Sequence, residues 1–479
     1  MSVNVNIFEV IKRETELLSL KMAVIEGGDR LTYGELIKSA ERFAKTLNEN
    51  GVSQFHRVGL LCDDSIDYII ASLAILSISA VVVPVSPKQK AEEIDSIIRI
   101  IDVDFLVAES GFRQVEFGDQ SRPYDLFKKK FFVVKRIVLG CPKAEYFTTN
   151  PAFIRFSSGT TGTSKGVILS HEAIVERVNA ANQGLRITSD DVILWVLSMR
   201  FHFVVTILLF LKCGATIVLC GHRFPDSLIE GVSAHRGTFI YASPFYYSLL
   251  SRMDGLPGDV LKQIRLAVST TIKLPESIAE EFFEKFGFEL AEAYGIIEVG
   301  LPFVRLSGGK DKRGSVGRPL PDFKIKIDNK DADGVGEISI QGKGMLDAYY
   351  SPWQGRNDIF IDGWFKTGDL GMIDADGYLF IVGRNKEVIN LGGLKIFAQE
   401  VEAVLNRHPQ VKESLVYGVA HKEYGQLPMA KIVIREEKGV LKENDLRRFC
   451  NLQLAQYKVP KGFEFVSNLP RTASGKIKR

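Results

Sequence analysis

The 479-residue chain has few cysteines, almost no net charge and only one long uncharged stretch. Its five cysteines (Cys62, Cys141, Cys213, Cys220, Cys450) are odd in number and scattered, with no CxxC pair, which argues against a zinc site or a disulfide framework. Reduced, buried thiols in a cytoplasmic protein are expected instead. With 61 Lys+Arg against 58 Asp+Glu, a net charge of +3 carries no nucleic-acid footprint. The N-terminal stretch MSVNVNIFEVIKRETELLSL lacks a basic segment followed by an apolar one, so no signal peptide is expected. Residues 68–87, YIIASLAILSISAVVVPVSP, carry no charge and approach membrane-spanning length. Their texture changes at Ser79-Ala80, from a helix-like run to the β-branched VVVPV. A helix followed by a buried strand is expected, and no transmembrane segment.

What is present is ordinary for a globular protein: 46% hydrophobic residues, 42 Gly and 17 Pro. At about 150 residues per domain, the length allows about three folding units. From about 22 to 270, short apolar strands such as RVGLLC (57–62), FLVAE (105–109), VILWVL (192–197) and IRLAVS (264–269) alternate with amphipathic helices. That alternation predicts largely parallel sheets covered by helices, an α/β fold. From about 315 to 384 the pattern turns to short strands with Asp-Gly turns, a β-rich subdomain. A small α+β unit follows. The expected division is a large domain over 1–384 and a small mobile C-terminal domain over 385–479.

The sharpest local feature is FSSGTTGTSKG, Phe156 to Gly166, in which every residue but Phe156 and Lys165 is Ser, Thr or Gly. Hydroxyls, backbone N–H groups and one ammonium suit the oxygens of a polyphosphate. The segment fails the GxxxxGK[ST] template twice: Ser164 stands where the second glycine belongs, and Gly166 follows the lysine. On composition alone, a flexible surface loop fits equally well. NKDADG (329–334) invites a calcium-loop reading, but its twelfth position is Ile340 rather than Glu, so a hairpin turn is expected.

SSGTTGTSKGV resembles the phosphate loop of the adenylate-forming (AMP-binding) superfamily, which includes acyl-CoA synthetases, peptide-synthetase adenylation domains and beetle luciferases. Further segments are similar to that family's motifs in the family's order: LAILSISAVVVPVSP (73–87), AYGIIEVG (293–300), GEISIQGKGMLDAYY (336–350), FKTGDLG (365–371), GRNKEVINLGGLKIFAQEVE (383–402) and LPRTASGKIKR (469–479). The resemblance implies activation of a carboxylic acid by ATP, with Mg2+, to an acyl-adenylate and pyrophosphate, followed by thioester formation with CoA. Such chemistry depends on positioning and charge neutralisation more than on a general base.

By that resemblance Ser157, Ser158, Gly159, Thr160, Thr161, Gly162, Thr163 and Lys165 hold the β- and γ-phosphates. Tyr294, followed by Gly295, stacks on adenine, and Glu298 helps hold Mg2+. Asp369 accepts the ribose hydroxyls, with Arg384 at the same edge. Lys476 neutralises charge between acyl carboxylate and α-phosphate. The small domain turns about Lys386 and presents the loop at Gly392-Gly393 to the thiol acceptor. His202 lines the acyl site, beside Thr270 and Thr271, which stand where relatives usually carry Gly-Gly or Gly-Ala. Two more departures are Ile297 in place of a threonine that contacts the α-phosphate, and Ser164 in place of proline. A phosphopantetheine carrier protein is an alternative acceptor to CoA, and a degenerate AMP/ATP-binding module is an alternative of another class. Amino-acid activation is disfavoured, because no aspartate stands near His202.

Overall fold

Strands that are apolar on both faces must be covered on both faces, and this chain builds two such sheets. A computed structural model describes residues 5–112, 123–136, 142–157, 165–306, 312–391, 394–422, 424–435, 441–471 and 477–478. In the first sheet, Pro151–Ser157, Val81–Val85, Arg57–Leu61 and Phe105–Glu109 run parallel, with antiparallel strands added at both edges. In the second, Ala291–Ile296, Leu266–Ser269, Phe239–Ala242, Val192–Trp195, Thr216–Leu219 and Met22–Glu26 are parallel neighbours, flanked by antiparallel Gly300–Arg305 and Asp29–Thr32.

The uncharged stretch resolves as expected into the helix Ile66–Ser77 and the strand Val81–Val85. Ser65 starts the helix by accepting the Tyr68 N–H at 3.3 Å, and every residue from Ile66 to Leu76 is buried. Burial on all sides explains why this helix lacks the polar face of a surface helix. Among the described residues, no helix is long and apolar enough to cross a membrane. Cys62, Cys220 and Cys450 are buried and Cys213 half-buried, and none is in a disulfide; Cys141 lies outside the described residues.

Contacts between loops bring the C-terminal ends of the two sheets to one side. Asp64, after the strand Arg57–Leu61, accepts from Met199 N–H at 3.0 Å, just beyond the strand Val192–Trp195. Arg155, near the end of its own strand, donates to the Phe201 carbonyl at 2.6 Å. Ligand sites of parallel sheets form at these carboxyl ends.

The chain divides into two compact units. One is Met1–Lys324 with Gln341–Gly363; the other is Ile325–Ile340 with Trp364–Arg479. The position 384/385 expected as a boundary falls inside the second unit, whose first part is an antiparallel sheet of Phe323–Asp328, Gly336–Gly342, Phe365–Ile373 and Leu379–Arg384. NKDADG is the turn between the first two of these strands, where Asp331 Oδ1 accepts from Asp333 and Val335 N–H at 3.1 and 3.0 Å. The second part is a five-stranded sheet with Val411–His421 and Gly425–Ile434 as its long antiparallel pair. The helices Ala398–Leu405 and Glu443–Asn451 pack on it through Val401, Leu405 and Leu446.

Candidate active site

The strands Pro151–Ser157 and Lys165–Ser170 pair antiparallel with Ser157 opposite Lys165. This pairing brings together the two ends of the glycine-rich segment; Ser158, Gly159, Thr160, Thr161, Gly162, Thr163 and Ser164 lie outside the described residues. Lys165 Nζ lies 2.8 Å from Gln354 Oε1 and 4.4 Å from the centre of the Tyr349 ring. A side chain at Gly166 would collide with Ile101, which accounts for the glycine after the lysine.

Tyr349 connects this lysine to Glu298, its hydroxyl lying 3.4 Å from Glu298 Oε1. Glu298 stands on the turn between Ala291–Ile296 and Gly300–Arg305, closed by Val299 N–H donating to the Ile296 carbonyl at 3.1 Å. Gly295 is required there, since a Cβ would strike the Gly300 carbonyl oxygen. Tyr294, half-buried, packs its ring 5.9 Å from that of Phe303.

The turn is gripped from beneath by Arg177, a residue that sequence reasoning did not single out. Arg177 is 1% exposed and donates to the carbonyls of Gly344, Ile297 and Glu298 at 2.7, 2.8 and 3.3 Å. Leu346 N–H also donates to the Glu298 carbonyl, at 2.8 Å. The segment 344–350 is itself anchored: Arg57, bidentate on Asp104 at 2.9 and 2.9 Å, donates to the Tyr350 hydroxyl.

Burial pushes the Glu298 carboxyl above the usual carboxylate range, while Arg155 and Arg177 pull it back. The same burial lowers both guanidinium groups to about 10. A partly desolvated carboxylate of this kind gains from a hard cation. No group of three or more His, Cys, Asp or Glu that could cage a metal occurs among the described residues. A magnesium ion at Glu298 therefore fits as one held by few protein oxygens, the rest of its shell coming from phosphate and water.

His202 and Thr270 are brought to one wall. The His202 ring lies 5.9 Å from Trp195 and 6.1 Å from Tyr241, and the Tyr241 hydroxyl is 3.5 Å from Thr270 Oγ1. Phe203–Ile207 forms a π-turn directly after His202, an irregularity frequent at functional sites. Thr271 has φ +77°, a left-handed conformation costly for a β-branched residue and free for glycine. Threonine at this position is thus strained, as a glycine would not be.

In the second unit, Asp369 and Arg384 face each other across paired strands, with Arg384 Nε 3.0 Å from Asp369 Oδ1. Asp369 is 4% exposed, and its own N–H donates to Thr367 Oγ1 at 3.1 Å. Lys386 sits exposed on the short 3-10 turn Asn385–Glu387. Gly392, Gly393 and Lys476 lie outside the described residues. An isolated antiparallel bridge between Arg471 and Ile477 brings together the residues that flank the lysine loop.

Of the residues missed from sequence, Arg155 and Arg200 had a visible signal, each being a cation inside an apolar run (AFIRF and MRFHFVV). Arg177 had a weaker one: it takes its place on the buried side of its helix with Ile174, Val178 and Ala181.

A structure with two parallel sheets, a Ser/Thr/Gly-flanked lysine at a carboxyl end and a small second unit has the layout of an acid-activating enzyme. The AMP-binding enzyme family matches residues 19–350, and the AMP-binding enzyme C-terminal domain matches residues 400–476. The chain is 30% identical to a 2-succinylbenzoate–CoA ligase of Bacillus licheniformis, covering 98% of each chain. It is 29% identical to the 4-coumarate–CoA ligase-like 4 protein of rice, over 94% of this chain and 87% of the other. The o-succinylbenzoate CoA synthetase of Bacillus subtilis, solved with its acyl-adenylate intermediate, superposes with a TM-score of 0.85 at 25% identity, over 98% of this chain and 96% of that one. The chain belongs to the AMP-binding enzyme family, as an AMP-forming acid–thiol ligase of the acyl-CoA synthetase type.

Proposed function

We propose that this protein uses MgATP to convert a small carboxylic acid to an acyl-adenylate, releasing pyrophosphate, and then transfers the acyl group to the CoA thiol, releasing AMP. The observation that carries the reading is the Lys165–Tyr349–Glu298 assembly, which sets an ammonium and a half-buried carboxylate on one tyrosine at the end of the glycine-rich segment. Lys165 neutralises the phosphates and Tyr294 meets the adenine. Glu298 would hold Mg2+, which supplies charge neutralisation to the phosphates when bound. Asp369, oriented by Arg384, accepts from the ribose hydroxyls, a role suited to a two-oxygen acceptor. Lys476 neutralises charge where carboxylate meets α-phosphate, and the part of the chain beyond 384 turns about Lys386 between the two half-reactions. The CoA ligases among its relatives favour CoA over a carrier protein as acceptor. Unpaired, mostly buried thiols suit a reducing compartment such as the cytoplasm.

ATP–pyrophosphate exchange with a panel of acids, followed by thioester formation with CoA and with a phosphopantetheinylated carrier protein, tests the proposal. Acid-dependent exchange that needs Mg2+ and collapses in Lys476→Ala is expected, with CoA as the productive thiol. Nucleotide binding without exchange for any acid would replace this reading with that of a binding module. Thioester on the carrier protein but not on CoA would correct the acceptor.

A further inference from the structure

Beside His202 the protein buries hydrogen-bond donors for which it provides no acceptor. Arg155 Nε, Arg200 Nε, Trp195 Nε1, Tyr68 Oη and Ser269 Oγ are all buried without a hydrogen-bond partner. Guanidinium and indole nitrogens can only donate, and the two hydroxyls can do so. A buried donor left unmatched carries its full desolvation cost, so a native protein keeps few of them, and a cluster calls for an explanation.

These groups form one neighbourhood at the carboxyl ends of the strands. The Arg155 guanidinium lies 5.2 Å from the Phe201 ring centre and donates to the Phe201 carbonyl at 2.6 Å. Arg200, 6% exposed, directly precedes Phe201 and donates to the Cys62 carbonyl at 3.2 Å. Tyr68, fully buried, sets its ring 5.7 Å from that of Phe203. Trp195 lies 5.9 Å from His202, and Ser269 directly precedes Thr270 on the same wall. Arg155 is half-buried, so the neighbourhood is not sealed from solvent. Two carboxylates face these cations, Asp64, whose Oδ1 accepts from Met199 N–H at 3.0 Å, and Glu298, and neither accepts from Arg155 Nε or Arg200 Nε.

Acceptor-only groups match such a set. An alkyl or aryl tail would leave every one of these donors unmatched and press two guanidinium groups against hydrocarbon. We propose that the acid activated by this enzyme carries a second anionic group, a carboxylate or sulfonate remote from the reacting carboxylate, held by Arg200 and Arg155 with the Tyr68 hydroxyl. The inference rests on the acid-activation reading and names its substrate class.

The test compares short acids in matched pairs, each α,ω-dicarboxylate or sulfo-carboxylate against the monocarboxylate of the same chain length, in ATP–pyrophosphate exchange by the full-length enzyme. Sites built to hydrogen-bond a group reject analogues lacking it by large factors, so kcat/KM is expected to favour the dianion by about a hundredfold or more. In Arg200→Gln and Arg155→Gln that ratio is expected to fall about tenfold or more, and in Tyr68→Phe by less. The ratio is taken within each variant, so a loss of folded enzyme cancels. A preference confined to sulfonates or to carboxylates supports the subsite and identifies its ligand. Monocarboxylates used as well as dianions, or a ratio unchanged in both arginine variants, overturns the subsite and leaves acid activation standing. Exchange with no acid of either class overturns acid activation itself, and the subsite with it.

Discussion

Replacing Arg177 by lysine should detach the turn that carries Glu298 while keeping the positive charge beneath it. In the native protein one planar guanidinium serves three carbonyls, those of Gly344, Ile297 and Glu298, at 2.7, 2.8 and 3.3 Å. An ammonium on a flexible stem cannot span that fork, so two of the three bonds are lost. Hydrogen bonds to a charged donor contribute about 1.5–3 kcal/mol each, and water re-entering the turn recovers part of the loss. A net destabilisation of about 2–4 kcal/mol follows. Because Leu346 N–H still holds the Glu298 carbonyl, the turn should loosen rather than invert. The assay combines thermal unfolding with exchange kinetics at saturating acid: the transition should move down, and KM for MgATP should rise about tenfold with a smaller change in kcat. Gly344→Ala offers an independent route to the same defect, since its Cβ would strike the Arg177 backbone nitrogen in a residue with φ +65°. Wild-type stability and KM in Arg177→Lys would refute the idea that this arginine positions the metal turn.

Three other outcomes are expected. His171 is buried with Nδ1 accepting from Ile7 N–H at 3.1 Å and no partner at Nε2, and burial lowers its pKa to about 4. Since the unfolded chain takes up this proton first, near pH 6.5, stability should be full above that value and fall as pH drops toward 4, by about 3 kcal/mol in all. His171→Asn should flatten that part of a stability–pH curve measured by urea unfolding. Ile297→Thr should raise the ATP–pyrophosphate exchange rate by about one to two orders of magnitude by restoring a hydroxyl toward the α-phosphate; an unchanged rate counts against that role. Thr271→Gly should stabilise the protein by about 1 kcal/mol, because φ +77° costs threonine more than glycine loses in unfolded-state freedom. A lower melting temperature would show that the threonine side chain has packing value outweighing the strain.

The elements legible in the sequence were those whose signal is local. The helix Ile66–Ser77 and strand Val81–Val85 could be separated because β-branched residues replace small ones within a few positions. The ends of the glycine-rich segment, Ser157 and Lys165, fall on paired strands because apolar AFIRF and GVIL flank it. Arg177 was passed over for the opposite reason. An arginine on a helix reads as a solvated cation, and only segments more than a hundred residues away, at Ile297, Glu298 and Gly344, decide otherwise.

The boundary near 384 was drawn from a change of texture and a Gly-Gly turn, which mark where chain character changes. The division into Met1–Lys324 with Gln341–Gly363 against the rest depends on which surfaces bury one another, and no local pattern encodes that. By itself, the sequence determined the strand and helix alternation, the family and the order of its motifs, since these follow from side-chain period and contiguous residue identity. Only the tertiary structure decided that buried Arg177 and Arg200 and half-buried Arg155 converge on the carboxyl ends of the sheets, and that Arg155 and Arg200 each keep a buried donor without an acceptor. The physical reason is that burial and hydrogen-bond satisfaction are properties of the whole packed chain, set by neighbours brought from distant positions.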